Sequence, residues 1–356
     1  MGPGPSDVSS RVLEALSRPT VGHLDPYFLK LLDETQSMLR EVFGTANALT
    51  LPISATGSAG METCFVNLLE PNDQALICRN GVFGGRMAEV ARRCSAEVTV
   101  VDAPWGRAID PDDVVNAAKD RSFKVLALVH AETSTGVLQD LSPFRAIADA
   151  CGALLVVDAV TSLGGVAVDV DRMGIDAVYS GTQKCLSCPP GLSPVSFSER
   201  ARNVLENRKT PIQSWYFDLT LIGRYFGTER VYHHTAPVNM IYALHESIRL
   251  VLEEGLDARY RRHQDNARAL WAGLGRLGIT LPVDSSVRLP PLTLARIPEG
   301  VSDRAVRARL IDNHGLEIGG GLGEFAGQAW RIGLMGASST PRHVQLCLGA
   351  LEEALG

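Results

Sequence analysis

A single lysine, Lys184, follows Tyr179-Ser-Gly-Thr-Gln, where an apolar segment gives way to small residues. A strand ending in such a turn delivers the amine beyond the carboxyl edge of a parallel sheet, where open α/β folds bind their ligands. A lone lysine after a turn is ordinarily a solvated one, so the reading depends on its company. Asp158 closes the apolar run Val156-Val-Asp. A carboxylate at that edge can pair with a protonated ring nitrogen and keep the ring able to accept electrons, although an aspartate after a strand serves as often as a metal ligand or a helix cap. Thr56-Gly57-Ser58-Ala59-Gly60 precedes a helical pattern expected to begin near Met61. Small residues there let backbone N–H groups approach a phosphate; alone, the segment is a simple cap. Asn80-Gly81-Val82-Phe83-Gly84 puts an aromatic ring on a tight turn after a strand, where it can stack on a flat heteroaromatic molecule or simply fill core.

The elements that must position these groups alternate along the first half of the chain. Apolar runs at 75–78, 98–101, 125–130 and 153–158 read as buried strands, with further strands at 176–180 and 195–197. Amphipathic stretches at 60–69, 86–93, 110–120 and 143–150 lie between them. Asp110-Pro111 and Ser142-Pro143 look like helix openings, a capping residue followed by proline at the first helical position. Strand–helix–strand alternation implies α/β architecture, a mostly parallel sheet between helices. From Ile241 the texture changes. One long helix ends at Gly255 and a second runs over 257–276, followed by a strand at 292–297, a helix at 303–313, a strand at 329–334 and a last helix opened by Thr340-Pro341. The expected organisation is an N-terminal arm (1–20), a large domain (21–254) and a smaller C-terminal α+β domain (255–356).

Composition sets the class. With 45% hydrophobic and 21% charged residues the chain can bury a substantial core, and a net charge of −6 argues against coating nucleic acid or anionic membrane. The basic clusters at 200–202 and 259–262 read as solvated helix faces. Seven scattered cysteines suit a reducing compartment better than a disulfide framework. No leader pattern and no apolar run of membrane-spanning length is seen, so the cytoplasm is expected.

Taken in order on successive strand ends, Gly57/Ser58, Phe83, Asp158 and Lys184 resemble the set of the fold type I pyridoxal-phosphate enzymes, and within them the class V alanine–glyoxylate/serine–pyruvate aminotransferase family. The resemblance spans the chain from Gly2-Pro-Gly-Pro-Ser6 to the last helix. Its most specific pieces are SGTQK (180–184) followed by PPG (189–191), VYHHTAPV (231–238), HAETSTGV (130–137) and RIGLMG (331–336). It implies pyridoxal 5'-phosphate (PLP) bound to Lys184 as a Schiff base, with the freed amine moving the proton between substrate and cofactor. It further implies that Asp158 pairs with the pyridine nitrogen, that Thr56, Gly57, Ser58 and Gln183 hold the phosphate, that Phe83 stacks on the ring and that Thr133 donates a hydrogen bond. Tyr232 and Thr235 would reach the phosphate of a neighbouring subunit in a homodimer, Arg331 would grip the substrate carboxylate with two hydrogen bonds, and Gly22-His23 matches an active-site glycine region, with His23 a candidate substrate contact. The implied reaction is ping-pong transamination from alanine or serine to glyoxylate or pyruvate. Some members carry tryptophan at Phe83 and serine at Thr133, changes that keep the physical role.

Other signals carry less. Gly321-Leu-Gly323-Glu-Phe-Ala326 has dinucleotide-site spacing but lacks a following βαβ unit, so a nicotinamide-dependent dehydrogenase is a weak rival. Cys185-Leu-Ser-Cys188 is a single pair with no second pair or histidines at ligand spacing, and no metal site is expected. His233-His234, adjacent in an extended segment, should point to opposite faces. A lyase or desulfurase acting on the same lysine-bound cofactor is the rival within the fold. A desulfurase needs a mobile cysteine, whereas Cys347 falls in the last helix pattern and looks buried.

Overall fold

The computed structural model describes residues 1–356. Seven strands form the central sheet: Leu49–Ile53 (β1), Gln74–Arg79 (β2), Glu97–Asp102 (β3), Val125–Val129 (β4), Leu154–Asp158 (β5), Ala177–Tyr179 (β6) and Ser193–Phe197 (β7). Their spatial order is β1-β7-β6-β5-β4-β2-β3. Strands β6, β5, β4, β2 and β3 are joined in parallel, while β7 runs antiparallel to both β1 and β6. All five residues of β4 and of β5 are buried, as a sheet covered on both faces requires. The edge strand β1 gave no sequence signal. It is short, it contains Pro52, and a proline is tolerated at a sheet edge.

The order reverses between β2 and β4: the chain leaves β2 for β3 on one side and returns to β4 on the other. Beyond the carboxyl ends of strands at such a point lies the crevice where ligands bind. Two helices differ from expectation at their starts. The helix after β1 begins at Gly57 rather than near Met61, and Phe83 is not on a free turn but in the first turn of the helix Val82–Arg93. Glycines tolerate the helix start and keep it close to the sheet; a Cβ on Gly60 would lie 2.0 Å from Ser193 Oγ. Asp110 caps its helix by accepting from Asp112 N. Ser142 does not cap: Pro143 occupies the N-cap, and the serine hydroxyl bonds to Asp140 instead.

A large core of 72 buried residues fills both faces of the sheet and runs from Val12 to Val251. A second core of 16 residues begins at Leu270 and includes Trp330. It packs beneath a small antiparallel sheet of Leu292–Arg296 (β8), Gly319–Gly320 (β9) and Ala329–Gly333 (β10), in the order β8-β10-β9. The helix Leu256–Arg276 joins the two cores, and this overturns the solvated reading of 259–262 for Arg259 and Arg262, while Arg261 is exposed as expected. Arg259 is only 5% exposed. Its guanidinium donates to Gly164 O (2.9 Å), Cys185 O (2.6 Å) and Glu254 Oε2 (2.6 Å), while Arg262 donates to Gly336 O (3.0 Å). Charge clustering on a helix cannot reveal that a loop of backbone carbonyls packs against it. The N-terminal segment is divided as well: Ser10–Leu16 is a helix whose Val12 and Ala15 belong to the large core, and residues 1–6 cross towards β10, where Gly333 N donates to Met1 O (2.8 Å).

Candidate active site

A cavity of about 140 Å³ opens at the carboxyl end of the sheet, near the reversal point. Asp158, the last residue of β5, reaches it with Lys184, which follows β6 through Ser-Gly-Thr-Gln. Both tips thus share one space. Asp158 is 3% exposed; its Oδ1 accepts from Val160 N (2.8 Å) and its Oδ2 from the Tyr179 hydroxyl (2.8 Å). Burial pushes its carboxyl up to about 7, outweighing those two bonds, and the nearby Glu132 adds to the rise. No cation bonds to it, so a positive ring atom placed beside it would relieve a buried charge. Burial lowers the Lys184 amine to about 8, with the positive charge of Arg331 as the second cause. An amine in that range is part neutral at physiological pH, as a nucleophile or proton carrier must be. Its Nζ donates to Pro3 O, and a Cβ on Gly4 (φ +102°) would come within 2.6 Å of Nζ, so the glycine lets the N-terminal segment lie directly against the amine.

The opposite requirement, a seat for an anion, is met where the helix Gly57–Leu68 begins. Gly57 and Ser58 line the cavity at the helix N-terminus, where unpaired N–H groups and the dipole favour negative charge. Gln183 joins them with Oε1 buried and unpartnered, so its amide is free to turn towards a ligand. Thr56 is the N-cap of this helix and is exposed; its side chain makes no cap bond and it does not line the cavity. Phe83 and Thr133 are both in the wall, carried on the segments that follow β2 and β4.

Three residues that sequence reasoning passed over belong to this neighbourhood. Tyr179 holds Asp158 in place. Glu132 is fully buried beside the wall, its Oε1 accepting from Ser134 N (3.0 Å) and Oγ (2.6 Å), its Oε2 from Phe83 N (3.1 Å) and Gly84 N (3.4 Å). It therefore caps the helix that carries Phe83 from across the crevice. Arg86 lines the cavity one turn beyond Phe83. Glu132 and Tyr179 lie within or beside the stretches HAETSTGV and SGTQK; their neighbours drew attention, whereas only the fold shows what their polar atoms bond.

Arg331, on β10, borders the site rather than lining the cavity. Its Nε donates to Gly320 O (2.8 Å) and its Nη1 reaches Thr133 O at 3.5 Å. Tyr232, Thr235, Gly22 and His23 are not brought to this cavity. Tyr232 is 59% exposed and Thr235 is exposed; the His23 ring lies 5.2 Å from that of Tyr232, with its buried Nε2 unpartnered. His233 and His234 do not point to opposite faces. Their Nδ1 atoms are 2.8 Å apart, His233 stacks on Trp215, and His234 Nε2 bonds Ser54 Oγ (2.7 Å); the segment is a bent loop before the helix Val238–Glu254, not a strand, so alternation does not hold. Gly323–Phe325 is a single 3₁₀ turn, with no βαβ unit around it. Cys185, Cys188 and Cys347 are buried free thiols, and no group of three or more His, Cys, Asp or Glu side chains is arranged to hold a metal ion.

Comparison with known proteins agrees with this geometry. The family profile "Aminotransferase class-V" matches residues 8–321. The chain is 41% identical to an (S)-ureidoglycine–glyoxylate transaminase of Bacillus subtilis, covering 100% of this chain and 90% of that one. It is 40% identical to an alanine–glyoxylate aminotransferase of Rattus norvegicus, over 100% and 87%. The crystal structure of an alanine–glyoxylate aminotransferase from Nostoc sp. superposes with a TM-score of 0.98 at 47% identity, covering 100% of this chain and 94% of that one.

Proposed function

The chain belongs to the class-V aminotransferases, PLP-dependent transaminases of fold type I, and from that premise we propose that it moves the amino group of a small amino acid, alanine or serine, to glyoxylate or pyruvate. The observation that carries this is the shared cavity of Asp158 and Lys184, with an anion seat at Gly57–Ser58 in the same wall. The residues fit the cofactor on their own chemistry: a buried carboxylate without a cation, an amine of lowered pKa, an uncommitted Gln183 amide and an exposed helix N-terminus. Lys184 would hold its aldehyde carbon covalently, Asp158 its ring nitrogen, Phe83 its ring face, Thr133 a polar ring substituent, and Gly57, Ser58 and Gln183 its phosphate.

When bound, the cofactor supplies the electron sink that acidifies the substrate's α-carbon, and it stores the amino group between the two half-reactions. The chain's own residues do the rest. The Nζ of Lys184 would take the proton from the substrate's α-carbon, and its lowered pKa suits that exchange. Asp158 keeps a proton on the ring nitrogen, and the Tyr179 hydroxyl fixes the carboxylate's orientation. Arg331 binds the substrate carboxylate with its paired N–H groups and holds the α-carbon in reach of the amine.

The two named relatives share glyoxylate and differ in donor, which supports glyoxylate as the acceptor here. The 41% identity to the ureidoglycine transaminase makes ureidoglycine the second donor to consider. A panel of alanine, serine and ureidoglycine against glyoxylate and pyruvate tests both. The reading expects turnover that requires a keto acid, with alanine or serine preferred; turnover without any acceptor would mean lyase or desulfurase chemistry. We also propose a homodimer in which Tyr232 and Thr235 of one subunit complete the phosphate seat of the other, with Gly22 and His23 near the substrate there. Its support is the exposed Trp215, Tyr216 and Tyr232, a surface of aromatic rings joined through His23, His233 and His234. Buried, unpaired thiols support a reducing, cytoplasmic setting, and no helix is long and apolar enough to cross a membrane.

A further inference from the structure

Arg86 has no part in the scheme above, yet it is in the wall of the cavity. It stands three residues after Phe83 on the helix Val82–Arg93, so the two side chains share a helix face. Its guanidinium carbon lies 5.0 Å from the centroid of the Phe83 ring, and its Nη1 donates to Ser58 Oγ at 3.0 Å. That bond goes to a neutral hydroxyl, and the side chain forms no ion pair with a carboxylate. Arg86 and Lys184 are the only cationic residues lining the cavity.

The charge balance at the anion seat explains why this matters. A phosphate monoester carries close to two negative charges at neutral pH. The N-terminus of Gly57–Leu68 offers about half a positive charge, and Gly57, Ser58 and Gln183 offer hydrogen bonds without net charge. Lys184 is committed to the other end of the cofactor. A guanidinium with a planar fork of donors is the group that matches the remaining charge and the geometry of phosphate oxygens.

We propose that Arg86 is a further cofactor-binding residue, bonding the phosphate at the N-terminus of Gly57–Leu68 while lying over Phe83, so that phosphate and ring are gripped by one helix. This rests on the reading that Gly57 and Ser58 seat the phosphate. Because the side chain is exposed, its charge is screened by solvent and salt, and the effect belongs at the modest end for a charge-assisted bond, about tenfold in affinity.

The test uses the full-length chain stripped of cofactor and titrated with PLP or with pyridoxal, which lacks the phosphate, reading dissociation constants from quenching of tryptophan fluorescence. Arg86→Met keeps the apolar stem, and its single side-chain hydrogen bond at the surface leaves folding intact. The expected result is about tenfold weaker PLP binding at low salt, a smaller loss at high salt, unchanged pyridoxal binding and partial recovery in Arg86→Lys. Equal weakening of both ligands would mean that Arg86 acts only through Phe83 and would overturn the proposal, as would no change in either. Ser58→Asp reports on the seat separately. If it spares PLP binding, the phosphate seat is misassigned and the Arg86 role falls with it. If it removes the preference for PLP over pyridoxal while Arg86→Met keeps that preference, the Arg86 role alone is wrong.

Discussion

At the scale of single residues, Asp158 and Lys184 make opposite demands on the same environment. Burial raises the acid and lowers the base. For Asp158 in the cofactor-free protein the sign is clear. With its pKa raised from an ordinary value near 3.8 to about 7, its contribution to stability is intact below the ordinary range and is lost as pH rises through 7. Asp158→Asn removes that loss. Urea unfolding of the cofactor-free proteins should show the variant gaining on wild type between pH 5 and pH 8, by at most about 3 kcal/mol for two pKa units. A gap that does not change with pH would mean the carboxylate is not held as described. The same variant should bind PLP more weakly, because the ring nitrogen loses its charge partner. Lys184→Ala removes a half-buried amine whose charged form burial already disfavours, together with its bond to Pro3 O, so its melting temperature should stay near that of wild type while turnover falls by roughly a thousandfold or more, the range for loss of a general base.

At the scale of elements, the site is held by contacts between segments far apart in sequence. Glu132, after β4, satisfies the first N–H groups of the Phe83 helix and the Ser134 turn at once. Glu132→Ala leaves those donors buried without partners, and a loss of about 2–4 kcal/mol in stability is expected, with weaker PLP binding because Phe83 is no longer fixed. Chemical denaturation with and without PLP separates the two effects. Arg259 plays a comparable part, tying the loop that carries Lys184, through Cys185 O, to the segment that follows Asp158, through Gly164 O. Both residues were present in stretches read from the sequence, one inside HAETSTGV and one inside a basic cluster. Their partners are backbone atoms, which leave no trace in residue type, so neither role was readable in advance.

At the scale of the whole molecule, the residues expected to serve the phosphate, Thr56 apart, fall into two groups. Gly57, Ser58 and Gln183 line the cavity, whereas Tyr232 and Thr235 lie on the exposed aromatic surface. If each site is built from two chains, Lys184→Ala and a Tyr232→Ala/Thr235→Ala double variant are both weak alone, yet their mixed dimer contains one site with every residue intact. Equal mixing after dissociation and reassociation should restore about one quarter of wild-type sites, since half the dimers are mixed and each has one good site of two. No recovery, in a mixture shown by mass spectrometry to contain hybrid dimers, would mean that Tyr232 and Thr235 do not serve the other subunit's Lys184 site.

The sequence by itself determined the alternation that builds the parallel sheet, and the strand ends from which Asp158, Lys184 and Phe83 emerge, because apolar runs, small turn residues and helix openings are written locally. The Asp110 cap belongs to the same class of local facts. What only the tertiary structure decided was which polar atoms meet: Tyr179 on Asp158, Glu132 under Phe83, Arg86 on Ser58, Arg259 on the Lys184 loop and His233 on His234. These bonds join segments that the backbone brings together only after the sheet order is set, or a bend whose local geometry breaks the strand rule. Hydrophobic period fixes the face a residue turns to the core; the partner found there depends on the path of the whole chain.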